Sequence, residues 1–126
     1  MSNGYGKRGS GKNPDVAAAV RGGIERDFMD RLEKFAGNFQ ASNSQVRNIF
    51  TAVKKIEAKG FDKEVFLMLR PRLAYAAQRE RNLRPLKDVL APAVDEVLKA
   101  GDPDELKHRF HRFCLCCEAI VAYAKK

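Results

Sequence analysis

Six cations crowd residues 70–87, RPRLAYAAQRERNLRPLK: Arg70, Arg72, Arg79, Arg81, Arg84 and Lys87 stand against a single acid, Glu80, a local balance of +5. Five of the six are arginines. A guanidinium is planar and forked, so it grips a phosphate through two hydrogen bonds at once. Leu73, Ala74, Ala76 and Ala77 are interleaved with the cations, which marks a folded segment and not a loose basic tail. Tyr75 lies between arginines, where its ring could stack on a base; the more ordinary role at such a position is a half-buried core tyrosine. The chemistry that suits these residue types is contact with a polyanion. The bland alternative is a solvated helix surface, since helix surfaces are ordinarily charged. The next stretch, Asp88–Glu105, sets Asp88, Asp95, Glu96, Asp102, Asp104 and Glu105 against Lys99, a balance of −5, and is expected to serve another contact. A second cationic set is Arg47, Lys54 and Lys55. Arg47 and Lys54 are seven apart, so on a helix they project the same way about two turns from each other.

Other chemistries have less to work with. His108, His111, Cys114, Cys116 and Cys117 resemble a zinc ligand set, but all five fall on one predicted helix. Residues on one helix cannot surround a tetrahedral ion, and a second ligand pair is missing elsewhere in the chain. Residues 6–13, GKRGSGKN, approach the phosphate-loop pattern and fail it twice: Asn13 stands where a magnesium-binding hydroxyl is needed, and no apolar strand precedes the loop. Both histidines lie in the last helix and no serine occupies an elbow motif. The paired carboxylates Asp95-Glu96 and Asp104-Glu105 fall beside helix caps, where they have structural reasons to be. A protein without catalytic activity, metal or cofactor is expected.

The elements that must position the cations read as helices throughout. Residues 1–12 are rich in Gly, Ser and Lys/Arg and are expected to form a flexible basic arm; residues 13–126 are expected to form one helical domain. Asn13-Pro14 suggests an N-cap with proline in the first turn of a short helix that breaks at Gly22-Gly23. Ile24, Phe28, Leu32, Phe35 and Phe39 recur at helical spacing. Ser42 and Gln45 form a capping box for a helix burying Val46, Ile49, Phe50, Val53 and Ile56, with Arg47, Thr51, Lys54 and Lys55 on its other face, and Gly60 ends it. Asp62 caps the next helix. Pro71 forces a kink or restart there, and residues 72–81 are helical again with Arg72, Tyr75 and Arg79 on one face. Pro85 opens a further helix that Pro92 interrupts and Gly101 stops. Asp102-Pro103-Asp104-Glu105 is a strong start for the last helix, which buries Leu106, Phe110, Phe113, Cys117, Ile120 and Ala124. The expected fold is all-α, a compact irregular bundle of about five or six helices.

Composition narrows the partners. A chain of 126 residues with 44% apolar and 32% charged residues suits one globular domain, and the net charge of +8 favours an anionic partner. No run of 18 apolar residues is present, and the N-terminus lacks the apolar core of a signal peptide. The three cysteines cluster within Cys114–Cys117, where a disulfide framework would be spread out, so a reduced, cytoplasmic protein without a membrane partner is expected.

The last helix, FCLCCEAIVAYAKK, holds Phe113, Cys114, Glu118, Ala119, Ile120, Val121, Ala122 and Tyr123. With Leu69-Arg70-Pro71-Arg72-Leu73-Ala74-Tyr75 and the capped helix bearing Val46-Arg47, it resembles the small subunit of the type III-A CRISPR effector, the Csm complex, over roughly residues 30 to 125. The resemblance implies a helical, non-catalytic protein that stacks in several copies head to tail, opposite the Csm backbone subunits and in one complex with the large subunit. It implies contact with the sugar–phosphate backbone of guide RNA and target RNA without sequence reading. Carried onto this chain, the family's basic positions correspond to Arg47, Lys54 and Lys55 on one helix and to Arg70, Arg72 and Arg79 on the proline-containing one. With Arg81 from the same block, these are the candidate RNA contacts. The chain departs from the family pattern at Cys116-Cys117 and in its basic N-terminal arm. Complementary +5 and −5 blocks suit head-to-tail stacking. Two other readings stay open: a free-standing helix-turn-helix DNA-binding protein, and a helical adaptor whose basic face meets an acidic protein.

Overall fold

The computed structural model describes residues 13–40 and 43–124. The basic arm, nearly all of the phosphate-loop-like stretch, and Ser42 of the capping box lie outside them. The order is α1 (Val16–Gly22), α2 (Arg26–Gly37), α3 (Asn43–Lys59), α4 (Lys63–Leu67), α5 (Leu69–Arg79), a 3-10 turn (Arg81–Leu83), α6 (Arg84–Leu98) and α7 (Pro103–Tyr123). There is no strand among the described residues, so the all-α expectation holds. Counting α4 and α5 as one broken helix makes the bundle six-helical.

Helices α6 and α7 are its centre. α6 packs on α1, α4, α5 and α7, while α7 packs on α1, α2, α3 and α6. One continuous core runs through every helix, and no polar or charged side chain among the described residues is fully buried. The stripe on α3 is buried as its spacing requires: Val46, Ile49, Phe50, Val53 and Ile56 are all at or below 6% exposure. Phe66 of α4 ties α7 to the α3–α4 corner, with ring centroids 5.3 Å from Phe61, 5.5 Å from Phe110 and 5.1 Å from Phe113. The tilted and edge-on arrangements are those aromatic quadrupoles prefer.

Helix ends follow the capping residues. Asp62 Oδ1 accepts from the amides of Glu64 and Val65 at 3.0 and 3.1 Å, and Asp102 Oδ1 accepts from the Glu105 amide at 2.8 Å. Each satisfies amides that have no partner within the first turn. Gly60, at φ 100°, turns the chain out of α3.

Three boundaries differ from the sequence reading. The cap of α1 is Asp15, whose Oδ1 accepts from the Ala18 amide at 3.0 Å, and not Asn13. The break near Pro71 falls at Met68, with Pro71 inside the first turn of α5. Proline clashes with the carbonyl four residues earlier and has no N–H to offer it. The chain therefore breaks a turn before the ring, and Pro71 takes a position whose amide would lack a helical partner anyway. Pro92, by contrast, does not interrupt α6, which is continuous from Arg84 to Leu98. Pro92 and Asp88 lie on its exposed side, where solvent can reach the carbonyl left without a donor. Ala93, Val94 and Val97 hold the opposite side in the core.

Candidate nucleic-acid interface

The seven candidate cations are all exposed, but they do not form one surface. On α3, successive residues turn by about 100°, and this separates Lys54 from Lys55. Arg47 and Lys54 line a groove of about 520 Å³ between α3 and α7, whose wall on α7 includes His111, Cys114, Leu115 and Val121. Lys55 lines a different groove of about 510 Å³, between the end of α3 and the α4–α5 break, together with Lys59 and Arg72.

Helix α5 divides its arginines in the same way. Leu69, Leu73 and Ala77 are buried, which puts Arg72, Tyr75 and Arg79, spaced three and four apart, along one flank. Arg79 Nη1 donates to Tyr75 Oη at 3.3 Å, and its guanidinium carbon lies 5.8 Å from the ring centroid. Arg70 lies on the other flank, toward α6, with Nη1 3.4 Å from Asp95 Oδ1. Arg81 is in the 3-10 turn and has left the helix predicted to carry it. Tyr75 is 60% exposed, not half-buried. The arginines on either side of it occupy surface positions, and the small Ala76 and Ala77 fill the space toward the core.

The structure thus brings together Lys55 and Arg72 and adds Lys59, which the sequence reading missed although it sits one helical turn beyond Lys55; Arg79 lies on the same flank of α5 as Arg72, about two turns further along. None of these four has a carboxylate within 4.0 Å among the described residues. Lys54 does, with Glu57 at 3.7 Å, as does Arg70. Arg47 shares its groove with Glu57 and Glu118. Lys55, Lys59 and Arg72 are thus left without an ion pair where α3 and α5 meet, in a groove that Asp62 also lines, and Arg47 and Arg81 likewise have no carboxylate within 4.0 Å among the described residues.

The acidic block behaves differently from the expectation of a free docking face. Glu96 is approached by Arg21, Lys99 and Arg109 at 3.3, 3.6 and 3.5 Å. Glu105 Oε2 accepts from Arg109 Nε at 2.8 Å, Asp95 faces Arg70, and Asp102 is a cap. Only Asp88 and Asp104 of the six lack such a partner among the described residues. Two other arginines hold the bundle together: Arg109 donates to the Glu96 carbonyl at 2.7 Å, and Arg112 donates to the Val20 carbonyl at 2.7 Å near the end of α1.

The cysteines are buried and unbridged. Burial pushes the Cys114 and Cys116 thiols up to about 12, with Glu57 adding to the effect at Cys114, and raises Cys117 well above its ordinary value. Such thiols stay protonated and are poor nucleophiles and poor metal ligands. Among the described residues, no group of three His, Cys, Asp or Glu side chains is placed to hold a metal ion, and no helix is long and apolar enough to cross a membrane. The helix after the Gly60 turn, which a helix-turn-helix reading would place in a DNA groove, has five residues and carries an acid, Glu64, in its first turn.

Comparison with curated proteins and with solved structures finds no significant match. The sequence model of the Csm2 type III-A family, in contrast, matches residues 25–126, from the start of α2 through α7 and including every cation of the α3–α5 face, and the chain belongs to that family.

Proposed function

We propose that this Csm small subunit is a non-catalytic component that lies along the guide–target RNA and holds its sugar–phosphate backbone through the face where α3 meets α5. The observation that carries this reading is the set of four exposed cations, Lys55, Lys59, Arg72 and Arg79, without carboxylate partners on two adjacent helices. Exposed cations of this kind suit phosphates, which they hold without reading bases, so that pairing with the guide supplies specificity. Arg47 and Lys54 form a second, weaker cationic edge across α3, half neutralised by Glu57.

A protein contact is favoured next to this face. Val65, Leu67 and Met68 are 52%, 44% and 59% exposed around the α4–α5 break. An apolar group of this kind, bordered by cations, suits other copies or other subunits of the complex.

The test is a titration against single-stranded RNA of unrelated sequence at two salt concentrations. With about four phosphate contacts, log affinity falls with log salt at a slope of about −3. A Lys55/Lys59/Arg72/Arg79 alanine variant is expected to lose most of both affinity and slope. An Arg47/Lys54/Arg70 alanine variant is expected to lose less. Wild-type protein that does not bind RNA at low salt would remove the RNA-contact assignment.

A further inference from the structure

Tyr75 is the only exposed aromatic among the described residues. The phenylalanines of α4 and α7 are packed against one another, and Tyr123 packs on the core. The Tyr75 ring is not a loose surface group, because Arg79 binds its hydroxyl at 3.3 Å and stands 5.8 Å from its centroid. The contact restricts the side chain before any ligand arrives, which lowers the ordering cost of binding. Arg72 lies three residues before the ring and Arg79 four after it, so the two cations bracket the ring along α5 at about 10 Å of helix rise.

From this we infer that Tyr75 is a stacking platform for an unpaired nucleobase, with Arg72 and Arg79 on the adjoining phosphates. The inference rests on the RNA-contact reading above and adds to the backbone contacts one unpaired nucleotide, since a paired base offers its face only to its neighbours in the stack. Stacking is tolerant of sequence because every base has a π face, so the platform is compatible with indifference to target sequence.

The experiment uses the purified chain with three probes: an unstructured single-stranded RNA, a duplex RNA of equal length, and inorganic polyphosphate. Tyr75→Leu keeps an apolar side chain and removes the ring at an exposed position. It is expected to weaken single-strand binding by about 5-fold to about 100-fold, to leave the salt slope unchanged, and to leave duplex and polyphosphate binding at the wild-type level. Tyr75→Trp is expected to retain affinity, and its indole, unique in a chain without tryptophan, to be quenched by the single strand and not by polyphosphate. Wild-type affinity of Tyr75→Leu for the single strand would overturn the platform, and if the Lys55/Lys59/Arg72/Arg79 alanine variant still lost affinity the RNA-contact reading would stand. Failure of the wild-type chain to bind any of the three probes at low salt would overturn both.

Discussion

Glu96 shows how single side chains decide the use of charge in this protein. Its side chain is 14% exposed and Arg109 is 15% exposed, so the pair is shielded and each partner needs the other. Glu96→Lys would set a fourth cation among Arg21, Lys99 and Arg109. It is expected to cost about 2–4 kcal/mol, read as a lower urea midpoint, whereas Glu96→Gln keeps the shape and costs less. An unchanged midpoint for Glu96→Lys would show that the cluster contributes nothing to stability. The cysteines allow a pH prediction. Their folded-state pKa values lie above the ordinary 9.0, with Cys114 and Cys116 at about 12. The unfolded chain therefore releases these protons first, so the stability they contribute is full below pH 9 and declines between about 9 and 12. Urea midpoints from pH 8 to 11 are expected to fall less steeply in Cys116→Ala than in wild type.

Among the elements, the α3–α4 corner does most to shape the candidate site, because it sets Lys55 and Lys59 against Arg72. Gly60 makes that corner at φ 100°, and an added Cβ there would meet no atom within 4 Å. Any cost of Gly60→Ala is therefore backbone strain, about 1 kcal/mol or more. Gly37 closes α2 with equally open space and no such φ, so Gly37→Ala is expected to stabilise by about 0.5–1 kcal/mol. Thermal unfolding of the two variants should move in opposite directions, and a shift of the same sign in both would contradict this account of the corner. The same segment shows what could be read beforehand. Asp62 as a cap and Gly60 as a stop were legible because each is a local backbone requirement. The break at Met68 and the continuity of α6 through Pro92 were not, since both depend on what the neighbouring helices hold in place.

For the molecule as a whole, a net charge of +8 is distributed unevenly. The −5 stretch is largely neutralised within the chain by Arg21, Arg70 and Arg109, and the +5 stretch is left in excess around α5. Reversing Asp95 or Glu96 would therefore test folding more than assembly. Asp88 and Asp104 are the suitable positions for assembly. Asp88→Lys with Asp104→Asn is expected to change stability by less than about 1 kcal/mol. If acidic and basic faces of successive copies meet, that variant should lower the number of copies incorporated, as measured by the mass of the purified complex. An unchanged copy number would mean that electrostatic complementarity at these two residues does not guide stacking. Weak binding by one copy would be amplified when several are held on one RNA.

The helices, their caps and the buried stripes followed from the sequence alone, because helical periodicity and capping are set by residues three or four apart. So did the excess of arginine. Tertiary structure alone decided which cations lie side by side. Lys54 and Lys55 are adjacent in the chain yet face different grooves, Arg70 is drawn to Asp95, and Lys59 joins Arg72 across a corner. Packing Ala76 and Ala77 inward turned Tyr75 out to solvent. Such groupings depend on which side of each helix the core claims, and that choice is made between helices, not along one.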